Sequence, residues 1–187
     1  MKEKIVLASK SPRRIEFLKS LGLDFEIIPS TEEEKTEGNL TPFETAKTLA
    51  LNKALSVKKK VGKAVIISAD SIVVADGCIL GKPTDKTHAE KMLKKLSGVC
   101  HEVITGYAVL VGEKVYNGAE VSKVKFNVLS EKFIDDYVAT GSPLDKAGAY
   151  GIQDGGLVES YEGSYTNIVG LPMERITQIL KQENLLK

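Results

Sequence analysis

The 187-residue chain contains no apolar run near the ~18 residues that a membrane span requires. Its opening Met-Lys-Glu-Lys has no apolar core or cleavage site behind it, so a signal peptide is not expected there. Charge of one sign is also missing. The formal net charge is +1, which leaves no global field to draw the protein onto nucleic acid or a membrane surface, so any affinity for anions must be local. Cysteine is scarce: Cys78 and Cys100 lie far apart, form no CxxC pair, and read as buried or strand thiols of a reducing cytosol. The two histidines, His88 and His101, have no serine elbow or second histidine nearby, which argues against zinc and Ser-His-Asp chemistry. What remains is ordinary globular usage, 42% apolar and 27% charged. That is enough for one domain over residues 1–187, or one domain with a lobe, around a real core.

The apolar pattern alternates strands and helices. Lys4 to Ala8 is a short continuous apolar run, expected as a strand buried on both faces. Ser11-Pro12 sets a helix start, Ile15, Leu18 and Leu21 give that helix its stripe, and Gly22 ends it. Phe25 to Ile28 returns as a strand, so the opening is β-α-β and the sheet is expected to be partly parallel. A polar acidic loop, residues 30–39, precedes Thr41-Pro42-Phe43-Glu44, a capping box that starts a helix running to about Lys60. Ala46, Leu49, Ala50, Ala54 and Val57 form its inner face. Residues 65–67 and 72–74 read as two strands on either side of Ser68-Ala69-Asp70-Ser71, followed by a type I′ hairpin at Asp76-Gly77. Further strands are expected at 103–104, 107–111 and 115–128, with helices near 89–96, 130–141 and from Pro172. The fold class is α/β: a mixed, partly parallel central sheet flanked by helices.

Three features carry chemistry. The first strand runs into Ser9-Lys10-Ser11-Pro12-Arg13-Arg14, where a helix N-terminus aims backbone N–H groups and a positive dipole end outward. Two arginines in a first turn oppose that dipole unless an anion sits nearby, and their forks suit phosphate oxygens; the plainer reading is that they only solvate the turn. Lys53 is the second feature. Helical spacing puts it on or beside the buried stripe, where it must snorkel to the edge or meet a negative partner. Asp70 is the third, at the expected mouth of central strands, where open sheets often place catalysis; capping a turn is the alternative. Glu32-Glu33-Glu34 offers oxygens for a hard cation such as Mg²⁺ or Mn²⁺, or is a solvated loop. Gly81-Lys82-Pro83 is not a phosphate loop, because proline replaces the Ser/Thr and no helix follows directly, yet Lys82 stands as a candidate site cation.

Five segments in order resemble the Maf family of nucleotide pyrophosphatases, distant relatives in fold of the inosine-triphosphate pyrophosphatases. They are Leu7 to Arg14, Ser68-Ala69-Asp70-Ser71, Leu80-Gly81-Lys82-Pro83, Leu96 through Gly106, and Asp145 to Gln153 with Asn167 to Pro172. The resemblance spans essentially the whole chain. It implies an inosine-triphosphate-pyrophosphatase-like fold and hydrolysis of a nucleoside triphosphate between the α and β phosphates. Asp70 would be the general base or a ligand activating water, and Glu34, with Glu33 and Glu32 as neighbouring candidates, would help hold a divalent metal, Mg²⁺ or Mn²⁺. Ser9, Arg13, Arg14, Lys53 and Lys82 would bind the triphosphate. Arg13, Ser71 and Gln153 would set specificity, with Gln153 favouring the branch acting on dTTP and UTP over the branch acting on 7-methyl-GTP. Ser71 stands where the family usually has threonine. The implied partner is a small nucleotide, with no nucleic acid and no membrane, and the implied setting is the cytoplasm. A homodimer is the family expectation, and a nucleotide-binding regulator of cell division is the alternative class.

Overall fold

The computed structural model describes residues 3–31 and 39–186. Among the described residues, seven strands and six helices follow one another: β1 Ile5–Leu7, α1 Pro12–Ser20, β2 Glu26–Ile27, α2 Pro42–Val61, β3 Val65–Ala75, β4 Cys78–Leu80 and α3 Lys86–Leu96 come first. After them come β5 Cys100–Val111, β6 Lys114–Phe126, α4 Glu131–Ala139, β7 Val158–Glu162, α5 Tyr165–Val169 and α6 Met173–Gln182. The strands hydrogen-bond in the order β2-β1-β3-β5-β6-β7, and β4 pairs with β3 off that path. β1 lies parallel to both β2 and β3, whereas β3–β4 and β6–β7 are antiparallel, so the sheet is mixed and partly parallel as expected.

By its contacts the chain forms two compact units. The first comprises residues 1–70, 105–120 and 170–187. Its strands show why a strand period of two builds two layers. Ile5, Leu7, Val65, Ile67 and Ala69 face one way and pack with Leu18 of α1 and Ile176, Ile179 and Leu180 of α6. Val6, Ala8 and Ile66 face the other way and pack with Ala54 and Val57 of α2. Each valine, leucine or isoleucine among them taken fully out of water contributes about 1.5–3 kcal/mol. α2 begins where its sequence demands. Thr41 accepts from the Glu44 amide while the Glu44 carboxylate accepts from the Thr41 amide, closing the capping box.

The second unit comprises residues 71–104 and 121–169. Ala89, Met92, Leu93 and Leu96 of α3 meet Ile134, Tyr137 and Val138 of α4 in one core with Val73, Phe126, Tyr150 and Leu157. Between α4 and β7 the chain makes three short 3-10 turns, at Ser142–Asp145, Ala147–Ala149 and Ile152–Asp154. Gly148 stands at φ +67°, and a Cβ there would come within 2.8 Å of Val73 Cγ2, so this turn lies against β3. The Asp76-Gly77 hairpin has positive φ at both residues, the I′ geometry expected of it.

Two expectations are corrected here. Residues 65–67 and 72–74 are one strand, not two, because the polar residues between them point alternately at partners instead of turning the chain. Likewise 103–104 and 107–111 belong to one strand, β5, which runs on through Thr105 and Gly106. Both cysteines lie on strands, and both are exposed rather than buried.

Candidate active site

The continuity of β3 decides where Asp70 goes. Even-numbered residues of β3 share the face of Ile66, which packs toward α2. Ser68 donates from its hydroxyl to the Ala50 carbonyl of α2 at 2.6 Å, and one helical turn further on Lys53 donates to Asp70 Oδ1. Asp70 is therefore buried in mid-strand, not at a strand mouth, and its side chain is only 8% exposed. Lys53 is 15% exposed. Of its two expected fates, it meets a negative partner. A carboxylate this deep needs that cation, since a lone buried charge costs several kcal/mol.

The opening loop is in the same unit. Ser9 is buried, Arg13 and Arg14 are half-buried, and the Ser11 hydroxyl makes no capping bond to α1. The Ser11 amide donates to Ser9 Oγ at 3.2 Å, which folds the loop back on itself. Arg14 is held from far along the chain. Its Nε donates to the Gly170 carbonyl at 2.7 Å, and its Nη1 lies 3.3 Å from Ser9 Oγ. The Arg14 fork thus ties the start of α1 to the segment before α6, a partner no local reading of the sequence reveals.

Ser71, Lys82 and Gln153 lie in the second unit. Ser71 is the half-buried neighbour of Asp70 in β3, while Lys82 and Gln153 are exposed. The Gly81 carbonyl before Lys82 accepts from the Gly148 amide at 3.0 Å, so the Lys82 loop is pinned to the 3-10 turns. Glu32, Glu33 and Glu34 lie outside the described residues. Among those that are described, no three His, Cys, Asp or Glu side chains gather into a metal cage.

Sequence reasoning missed a polar network around Gln153. The Tyr137 hydroxyl donates to Asp154 Oδ2 at 2.6 Å and accepts from the Gly151 amide at 3.2 Å. Burial first, and then the bond to Asp154, push the Tyr137 hydroxyl up, which keeps it a donor. Behind it, His101 Nε2 sits 2.7 Å from the Tyr150 hydroxyl, with Phe126 edge-on to both rings. Burial holds His101 down at about 4, so the imidazole is neutral at pH 7. His88, by contrast, belongs to the first turn of α3, where its amide donates to the Asp85 cap.

A family model described as Maf-like protein matches residues 4–183. A Dictyoglomus thermophilum protein named dTTP/UTP pyrophosphatase is 47% identical over 187 residues, covering 97% of each chain. Proteins of the same name from Pyrococcus furiosus and Aquifex aeolicus are 47% and 45% identical and cover 99% and 98% of this chain, and 98% and 97% of their own lengths. Among solved structures, a HAM1 protein from Coxiella burnetii superposes with a TM-score of 0.54 at 17% identity, covering 96% of this chain and 99% of its own. The Ham1 protein of Staphylococcus aureus gives 0.53 at 19% identity, covering 97% and 100%. These two share the fold.

Proposed function

The chain belongs to the Maf-like family, and on that premise we propose that it hydrolyses dTTP and UTP in the cytoplasm to the monophosphate and pyrophosphate. The observation that supports this chemistry best is the Lys53–Asp70 pair, a buried acid and base set into one unit with the Ser9-to-Arg14 loop. In the proposed reaction a water oxygen bonds to the α-phosphorus, the bond from that phosphorus to the bridging oxygen breaks, and pyrophosphate leaves. Asp70 takes the proton of the attacking water, a role that contributes about 10²–10⁴ in rate. Ser9, Arg13, Arg14, Lys53 and Lys82 bind and neutralise the triphosphate, because charge stabilisation is the main lever in phosphoryl transfer. Lys53 also holds the Asp70 carboxylate in place.

A divalent ion fits the chemistry of the donors. The Asp70 carboxylate is a hard oxygen ligand suited to Mg²⁺ or Mn²⁺, and with no cage among the described residues the ion would rest on Asp70, Glu34 and the triphosphate itself. When bound it would polarise the phosphoryl oxygens as a Lewis acid. Selectivity rests on Gln153, whose amide presents one donor edge and one acceptor, the complement of the N3–H and O4 of uracil and thymine. Arg13 and Ser71 are assigned to the same discrimination.

The test is pyrophosphate release from a panel of dTTP, UTP, CTP, ATP, GTP and 7-methyl-GTP, each with Mg²⁺ and with Mn²⁺. Fastest turnover of dTTP and UTP is expected, with none in a chelator. No turnover of any triphosphate would sink the enzymatic reading, and far faster cleavage of 7-methyl-GTP would overturn the assignment of Gln153.

A further inference from the structure

Lys146 is among the most buried charged residues described, at 7% exposure, and nothing above gives it a task. Its ammonium donates to the Ser142 carbonyl, to Ser142 Oγ at 2.9 Å and to Asp145 Oδ1 at 2.9 Å. An ammonium has three hydrogens, so these contacts use all of them within one turn. Asp154 Oδ2 stands 3.8 Å from the same nitrogen and receives the hydroxyls of Tyr137 and Ser142. A charge so fully satisfied by its own turn is not offered to a substrate. It is a bracket.

The bracket flanks Gln153, which is itself exposed. A Cβ placed on Gly151 would meet Gln153 Nε2 at 2.9 Å and Lys146 Cε at 3.0 Å, so the amide and the lysine stem crowd the same bare Cα. Gly151 donates its amide to Tyr137, and Asp154 is held by Tyr137, Ser142 and the Lys146 charge. The residues on either side of Ile152-Gln153 are thereby fixed from three directions. Two residues along from Lys146, the Gly148 amide holds the Gly81 carbonyl beside Lys82.

We propose that Lys146 is a positioning residue for base selection: it locks the 3-10 turn at Ile152–Asp154 so that the Gln153 amide is presented in one orientation to a pyrimidine edge. This rests on the reading of the chain as a dTTP/UTP pyrophosphatase. Unlocking the turn costs discrimination between bases, because an unoriented amide gains as little from uracil as from guanine.

The experiment is a double-mutant cycle read by calorimetric binding of α,β-imido-dUTP and α,β-imido-dGTP, with melting temperature measured alongside. Lys146→Met keeps the buried stem and removes the charge. It is expected to lower the dUTP-over-dGTP preference about tenfold, the worth of one oriented hydrogen bond, while Lys146→Arg recovers part of that preference. In a Gln153→Ala background the same Lys146→Met change is expected to move the preference less than twofold. An unaltered preference, equal weakening toward both analogues, or an effect that persists without Gln153 would each overturn the positioning role. If Lys146→Met does not fold, Tyr137→Phe, which deletes one hydroxyl of the same bracket, carries the test with the same criteria. Wild-type protein that binds the two analogues equally overturns the pyrimidine reading itself. Retained wild-type preference with an unaltered Lys146→Met overturns the bracket alone.

Discussion

Lys53 and Lys146 are both withdrawn from water, with side-chain exposures of 15% and 8%, yet they are held in opposite ways. Lys53 reaches off its helix to a carboxylate on a strand, joining α2 to β3. Lys146 turns inward on its own segment and bonds Ser142, four residues away, and the adjacent Asp145. The first arrangement couples a cation to an acid that has no other reason to be in mid-strand. The second saturates a cation with local acceptors and makes it part of the scaffold. A buried lysine is therefore no signature of catalysis by itself; what it is bonded to, and from how far along the chain, separates the two cases.

The sharpest way to break that contrast is to remove the acid. Asp70→Asn is nearly isosteric and is expected to lower kcat for dTTP about 10³-fold, within the range for loss of a general base. Pyrophosphate release measures it, and activity within tenfold of wild type would return Asp70 to a structural role. Lys53→Met asks the complementary question about stability. It strands the Asp70 carboxylate without its cation, and an uncompensated buried charge costs about 3–5 kcal/mol. Urea unfolding is expected to show that loss for Lys53→Met and to recover much of it in Lys53→Met/Asp70→Asn, where no charge is left to strand. Equal losses in the single and double variants would mean that the pair contributes packing and not charge balance.

The second unit has its own buried titratable group, and it responds to pH. Burial holds folded His101 at about 4, against 6.5 when unfolded. Between those values the unfolded chain binds the extra proton, so stability is complete above pH 6.5, falls as pH drops toward 4, and changes no further below that. The total is on the order of 3 kcal/mol. Denaturant unfolding at pH 7 and pH 4.5 is expected to show the loss in wild type and a reduced loss in His101→Gln. An unchanged pH dependence in that variant would assign the acid sensitivity elsewhere.

How far the sequence revealed these two regions follows from their periodicities. The helical repeat of α2 put Lys53 on the inner stripe, and the buried residues Ala46, Leu49, Ala50, Ala54 and Val57 are those that the repeat names. β3 was harder. Ser68 and Asp70 interrupt an apolar run and look like a turn until α2 supplies the Ala50 carbonyl and Lys53 as partners. The Lys146 bracket has no repeat at all, since 3-10 turns bury no regular stripe, and its members Tyr137 and Asp154 are 17 residues apart. Arg14 shows the limit most plainly. Arg13-Arg14 reads as a phosphate grip, and nothing near it in sequence names Gly170, 156 residues away, as the acceptor of the Arg14 Nε. The segment 145–153 is legible only through family resemblance, which assigns a role to Gln153 and none to Lys146 in the same segment.

The smallest expected effect tests whether the first unit's chemistry depends on its most legible element. Thr41 caps α2 twelve residues before Lys53, with its hydroxyl and amide both engaged by Glu44. The Glu44 carboxyl is held low chiefly by the Thr41 hydroxyl, so the box is formed with the acid ionised. Thr41→Ala removes the oxygen that accepts from the Glu44 amide and is expected to cost about 1 kcal/mol in urea unfolding. The cost falls at the exposed N-terminus, whereas Lys53 sits in the middle of α2 where Ala50, Ala54 and Val57 are packed against the strands. Fraying of the first turn should not travel that far, because helix ends open locally while packed turns hold. kcat and KM for dTTP are therefore expected to stay within twofold of wild type. A large fall in kcat at unchanged global stability would show that the cap, and not the packed middle of the helix, sets the angle from which Lys53 meets Asp70.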